Sequence, residues 1–308
     1  MTVIAVPLIA LTQAFWQVAG LIIAERASAR VRTPARDTML AQASTGRGIA
    51  FALHEALDQS GAVVGPVICA GMIAIAGYRA GFAALAVPGA LALLTLAWLQ
   101  RAAPRPADYE EGQTPRSGEP PADGALPGRF WLYLAFTIVS MAAFSTFAVL
   151  AYHDEVRHVV ATPLIPVTYA VAMAAAALGA LISGWLYDRI GLRCLVLALA
   201  FSAAVPAFAF TDNASVVWVG AAMWGAATGM HESSMRAAVA DLVPAARRGA
   251  SYGVFGAGYG LAWLVGSTVI GALYEHSTAA AIWYAAAMQI IALGLLLPLL
   301  RSPIDASR

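Results

Sequence analysis

The sequence contains no lysine: all 18 basic residues are arginine, set against 17 acidic ones, for a net charge of +1 over 308 residues. That balance offers nothing to a phosphate backbone, so nucleic acid is not an expected partner. Charged residues of either sign make up only 11% of the chain, against about 25% in soluble domains. A soluble surface cannot be built from so few, and intrinsic disorder fails for the same reason. The two cysteines, Cys69 and Cys194, both fall inside apolar runs. Two such thiols form neither a disulfide framework nor a metal site and read as packing residues. The first apolar stretch lacks a basic leading region and a small-residue cleavage site, so it is expected to be a helix and not a signal peptide. The alternating ten-residue strands of a membrane barrel are missing too, as is a P-loop.

What is present is apolar. Hydrophobic residues make up 60% of the chain, mean hydropathy is +0.73, and the uninterrupted runs are long enough to cross about 30 Å of hydrocarbon as helices. Runs broken by Pro, Gly and charge predict helices over 14–31, 48–75, 79–99, 130–152, 163–187, 193–211, 214–236, 249–274 and 278–300, with a short piece over 1–11. The expected fold class is therefore all-α: a polytopic membrane protein of about nine full transmembrane helices plus a partial one. The one long hydrophilic interval, 101–128, holds six prolines and eight charged residues and reads as a linker. It separates a smaller helical bundle, 1–100, from a larger one, 129–308. If successive loops alternate sides, 16 arginines fall on one side and only Arg79 and Arg157 on the other. The positive-inside rule then places both termini, the linker and the 188–193 loop in the cytoplasm, with the protein in the inner (plasma) membrane.

The two halves echo each other. Val6-Pro7 and Thr12 recur as Val205-Pro206 and Thr211, and Leu40-Ala41 as Val239-Ala240, all at an offset of 199. Past a small change in loop length, Arg47-Gly48 matches Arg248-Gly249 and Gly65 matches Gly266. Parallel repeats joined by a cytoplasmic linker are a layout of secondary transporters.

Two stretches carry a family resemblance. Gly184-Trp185-Leu186-Tyr187-Asp188-Arg189-Ile190-Gly191-Leu192-Arg193 resembles the loop motif G-x-L-x-D-R-x-G-r-R/K of the major facilitator superfamily, with Leu192 off pattern. Glu25-Arg26, then Arg32 to Asp37, then Arg47-Gly48 to His54 resemble one bacterial branch of it. The resemblance implies a two-bundle fold in which 1–100 holds the end of helix 3 and helices 4–6, and 129–308 holds helices 7–12. By it the N-terminal bundle is incomplete, lacking helices 1, 2 and most of 3. A misassigned start, a disrupted gene or a partner that supplies the missing helices are the readings this leaves. In the motif Gly184 and Gly191 allow a sharp turn, and the Asp188 carboxylate can accept hydrogen bonds at a helix start, where backbone N–H groups are unpaired. The resemblance points to the helix beginning near Gly48 as that partner, and to a latch between the halves, with Arg189 and Arg193 in the headgroup zone. The plainer reading is a charged loop that anchors topology.

Ionisable groups inside hydrocarbon are costly and mark pathways. The helix from Gly48 carries His54, Glu55 and Asp58, with Asp58 about 15 Å along it. His54, Asp58, Gly61 and Gly65 share one helical face, and the glycines would let a neighbouring helix approach. Asp58 is thus the leading coupling carboxylate, with a structural His–Asp pair as the alternative. Gly61 to Pro66 resembles the core of the antiporter motif of drug–proton exchangers, with Cys69-Ala70-Gly71 replacing its usual glycines. Arg26 holds the place of the family's helix-4 arginine and, with Glu25, forms either a pathway pair or a local ion network. Trp224, Phe255 and Tyr259 are cavity aromatics or packing residues, and His231 and Glu232 lie below Trp224 on its helix. His153, Asp154, Glu155, Arg157 and His158 read as solvated loop charge.

The expected function is secondary active transport of a small solute across a lipid bilayer by alternating access, coupled to protons. Drug or metabolite efflux is the direction the antiporter-like stretch suggests. No enzyme is expected, since neither H-E-x-x-H nor an acidic pair with a histidine appears, and neither is a cofactor or a metal. The alternative is a non-transporting remnant or membrane sensor, because the family's cavity-lining helix 1 has no counterpart here.

Overall fold

The computed structural model describes residues 2–42, 46–102, 125–161 and 164–301. Regular structure among them is helical: α1 (Thr2–Leu8), α2 (Phe15–Gln42), α3 (Arg47–Ala84), α4 (Ala86–Ala102), α5 (Gly128–Ala142), α6 (Phe147–Val156), α7 (Ile165–Ile190), α8 (Leu195–Ala209), α9 (Ala214–Leu242), α10 (Arg248–His276) and α11 (Thr278–Arg301). Five stretches of the described residues are long and apolar enough to cross a membrane: Arg79–Ala102, Gly128–Val156, Ile165–Ala209, Ala245–His276 and Thr278–Arg301. Most of the 101–128 linker lies outside the described residues.

The chain divides into two compact units, Met1–Ala43 with Gly61–Thr114, and Ser44–Ser60 with Pro115–Arg308. One boundary between the units falls inside α3, whose first turns belong with the C-terminal helices. In the first unit α1 packs on α2 and α4. Here α2 runs to Gln42, well past the expected end at 31, with Pro34 inside it. Within α3 the backbone leaves helical geometry at Gly77 (φ 81°), a conformation that favours glycine and marks the break between the two predicted segments there. The α4 face is strongly apolar, with Leu91, Leu94 and Trp98 exposed, a surface that suits lipid better than water.

The second unit is built around α9, which packs most extensively on α7 and α8; α5 packs on α10 and α11, and α11 also meets α8. Small residues set the α7–α9 spacing. A Cβ placed on Gly225 would stand 1.8 Å from the Ala172 carbonyl oxygen, and one on Gly229 would stand 1.9 Å from that of Ala176. One turn further, Ser183 and Ser233 share a hydrogen bond of 2.8 Å. A stripe of Gly, Ala and Ser is what lets two membrane helices touch backbone to backbone. Gly191, at φ 60°, ends α7 and starts the turn into α8, and Asn213 caps α9 through Val216 N–H.

Where one helix is predicted over 130–152, the structure has two, α5 and α6, separated by Ala143–Thr146. The stretch contains no Pro or Gly; side chains from other helices hold it open. Tyr284 Oη donates to the Ala142 carbonyl at 3.1 Å, and Trp224 Nε1 to that of Ser145 at 2.9 Å. Gln289 Nε2 donates to the Ser140 carbonyl at 3.1 Å, and Thr146 N–H donates to Ser267 Oγ at 3.1 Å. Irregular backbone at membrane depth survives only where the protein satisfies it in this way.

Just beyond the break, residues read as solvated charge prove partly buried. His153 bonds Tyr274 Oη at 2.7 Å and the Thr211 carbonyl at 3.0 Å, and it is buried with Asp154. Both lie in the last turn of α6, so they face the bundle. Arg157 is exposed and pairs with Asp212 through two nitrogens; that hydrogen bond and charge hold the Asp212 carboxyl below its usual range.

Candidate functional site

At the end of α7 the Asp188 carboxylate spans the start of α3: Gly48 N–H donates to Oδ1 at 2.7 Å and Ile49 N–H to Oδ2 at 2.9 Å. Unpaired amides and the positive dipole end make that position favourable for a carboxylate. The approach depends on two glycines. A Cβ on Gly48 would stand 2.2 Å from the Gly184 carbonyl oxygen, and one on Gly184 would stand 2.4 Å from that of Gly48. Beside them Arg47 forms an ion pair with Asp241 and donates to the Ala240 carbonyl at 3.1 Å. Tyr187 Oη donates to the other Asp241 oxygen at 2.7 Å. Arg189 lies over the Trp185 ring, 3.7 Å from its centroid.

Deeper along the same face of α3 lies a buried charge cluster. Gly48, Phe51, Ala52, Glu55 and Ala56 are the buried residues of this face. Arg236 on α9 stands between two carboxylates: Nη1 reaches Glu55 Oε2 at 3.3 Å, and Nη2 pairs with Glu232, one turn back on its own helix. Gln59 Nε2 donates to the second Glu55 oxygen, and Tyr259 Oη donates to the second Glu232 oxygen at 3.1 Å. Tyr252 Oη donates to the Arg236 carbonyl at 3.0 Å. The Glu55 side chain is 4% exposed, that of Glu232 14% and that of Arg236 17%. Two carboxylates on one guanidinium leave a formal charge of −1 in a site nearly closed to water, which makes the cluster a natural place for a proton or another cation to bind.

The face favoured by the sequence is turned by one residue. Asp58 is exposed and His54 is only partly covered, while a Cβ on Gly61 or Gly65 would meet nothing within 4 Å. The close approach occurs at Gly48 instead, and Glu55, not Asp58, is the carboxylate it buries. The side chains of Arg26 and Pro66 lie outside the described residues; Glu25 is partly covered. His231 is fully buried, with Nε2 2.7 Å from Ser202 Oγ, and so stands apart from the carboxylates beside it in sequence. The aromatics are held by their own unit. Phe255 stacks near Tyr133 and lies beside Tyr259, Tyr259 serves Glu232, and Trp224 serves the α5–α6 break. Arg236, Gln59 and Tyr252 were not singled out in the sequence. The Glu232–Arg236 spacing of four, which puts both on one side of a helix, is the signal that could have found the first. Among the described residues no three His, Cys, Asp or Glu side chains gather as a metal site would require.

The likenesses to known proteins agree with this architecture. Uncharacterized proteins of Mycobacterium bovis and of two strains of Mycobacterium tuberculosis are each 46% identical over 299 residues, which is 95% of this chain and 73% of theirs. The crystal structure of a bacterial homologue of the iron transporter ferroportin, in its outward-facing state, superposes with a TM-score of 0.60. The match covers 96% of this chain and 81% of that one, and at 15% identity it is a likeness of fold. The family model described as Major Facilitator Superfamily matches residues 1–235 and 193–308. With a helical membrane fold and a relative of the same architecture beside that match, the chain belongs to the Major Facilitator Superfamily of membrane transporters.

Proposed function

We propose that this membrane transporter is proton-coupled, and that Glu55, Glu232 and Arg236 carry the coupling. The observation that supports the reading is the sharing of one buried guanidinium by two carboxylates. With both acids ionised, Arg236 ties α3 to α9 through Glu55. A proton on Glu55 removes that attraction and leaves Arg236 fully matched by Glu232, so protonation loosens α3 from α9. Asp188, holding the first amides of α3 a few turns away, acts as the latch that must open in the same step. The solute is a small molecule taken from or released to the water on either side, and exchange for protons in the efflux direction is the mode proposed. The arginine distribution supports an inner-membrane protein with both termini and the 101–128 linker in the cytoplasm. Bundles over 1–100 and 129–308 are the parts that would rock.

The test is flux in proteoliposomes loaded with a pH-sensitive dye and presented with a panel of organic solutes. A transported solute should shift lumenal pH with the native protein. Glu55→Gln should move the solute with the pH shift lost, or not move it at all. Solute flux with no pH change in the native protein removes proton coupling from the reading.

A further inference from the structure

The break between α5 and α6 places Phe144, a residue outside either helix and 1% exposed, among three rings. Its ring lies parallel to Trp224 at 6.0 Å, edge-on to His231 at 5.4 Å and tilted against Trp263 at 6.3 Å between centroids. The polar atoms around it are poorly served. Among the described residues Ser145 Oγ, His231 Nδ1 and Trp263 Nε1 are buried without a hydrogen-bond partner.

The state of His231 follows from its neighbour. Ser202 Oγ lies 2.8 Å from the Ala198 carbonyl and 2.7 Å from His231 Nε2, and both contacts are filled at once only when the hydroxyl donates to the carbonyl and Nε2–H donates to the hydroxyl. In that arrangement neutral His231 carries its proton on Nε2, and Nδ1 is a bare acceptor. Trp263 Nε1 is a donor only, and Ser145 Oγ can be either. Trp224 has already committed its N–H to the Ser145 carbonyl and offers only its face. The Phe144 phenyl lies against the rings of Trp224, His231 and Trp263 and can satisfy none of these polar atoms.

We propose that Trp224, His231, Trp263 and Ser145 form a binding site for a flat, neutral solute with an N–H beside a C=O, and that Phe144 plugs this site in the state described here. The solute's N–H would donate to His231 Nδ1, its carbonyl would accept from Trp263 Nε1, and its ring would take the place of Phe144 against Trp224. The rings around Phe144 bring no ionised side chain with them, which favours a neutral solute over an ion. Phe144 can leave without unwinding a helix, because it sits in the non-helical joint whose backbone groups are held by Tyr284, Gln289 and Ser267. This site rests on the transporter reading but not on proton coupling, and its test needs no flux.

The test is calorimetric titration of the purified full chain in detergent with 2-quinolone, a flat lactam. The native protein should bind it saturably, and Phe144→Ala should bind it about tenfold more tightly. Trp263→Phe and His231→Phe should each weaken binding about tenfold, and melting temperatures close to native would show that these variants fold. Should His231→Phe fail to fold, Trp263→Phe and Phe144→Ala decide the matter. No saturable binding by either the native protein or Phe144→Ala overturns the proposal, as does equal binding by native and Trp263→Phe. Loss of proton coupling in the flux assay with lactam binding intact would strike the coupling reading alone.

Discussion

Asp188 makes two contacts that only a carboxylate can make together, one oxygen to each of the first amides of α3. Asp188→Asn keeps one acceptor and loses the charge, so the helix start should weaken by about 1 kcal/mol. Insertion should be normal and transport slower, read as initial rate against membrane abundance; an unchanged rate would remove the latch role. Arg236 is the more demanding residue. Arg236→Gln leaves two buried carboxylates facing each other, and breaking a buried ion pair costs about 3–5 kcal/mol, so its melting temperature should fall well below that of Glu55→Gln. Equal melting temperatures would mean that the cluster does not hold α3 to α9. The sequence marks α3, but the stripe it suggests is not the one that packs. Counting from His54 through Asp58 to Gly61 and Gly65 gives a plausible stripe, whereas the packed stripe runs Gly48, Ala52, Glu55. One residue is 100° on a helix, and nothing local separates the two choices. The partner that settles it, Arg236, lies 181 positions away.

Between helices the argument turns on volume. Gly225 and Gly229 stand against carbonyl oxygens of α7 at distances no Cβ tolerates, so Gly225→Val should push α9 off α7 and cost at least about 1–3 kcal/mol, seen as lost folded yield in detergent. Gly256 on α10 has nothing within 4 Å of a Cβ. Gly256→Ala should therefore be neutral or stabilising by about 0.5–1 kcal/mol, the helix-propensity difference. Similar losses from both would mean that backbone contact is not what sets the α7–α9 spacing. The helices themselves were largely legible, because long apolar runs punctuated by Gly, Pro and Arg announce their own ends; the α3 break at Gly77 follows such a signal. The α5–α6 break was not. Met141 to Phe147 carries no breaker, and its freed backbone is bonded by Trp224, Ser267, Tyr284 and Gln289, all outside any local window.

Across the membrane, if successive loops alternate sides, the asymmetry of arginine is the strongest signal in the chain, 16 residues against two. The C-terminal unit lets it be tested at known positions. Arg189, Arg193, Arg247 and Arg248 lie at the α7–α8 and α9–α10 connections, while Arg157 lies at the opposite end with Asp212. Cysteine chemistry reads the two ends separately, since Cys194 is buried and Cys69 can be replaced by serine. In that background an impermeant maleimide should label Arg157→Cys on intact cells, because the residue it replaces is exposed and its ion pair is at the surface. A linker variant, Ser117→Cys, should label only after the cells are broken. The reverse pattern would invert the molecule, and with it the side on which the proposed proton route to Glu55 opens. A proton gradient that is acid outside would then act on the end of α3 held by Asp188, while exchange for protons would still carry the solute outward, because the gradient and not the insertion sets the direction of an exchange.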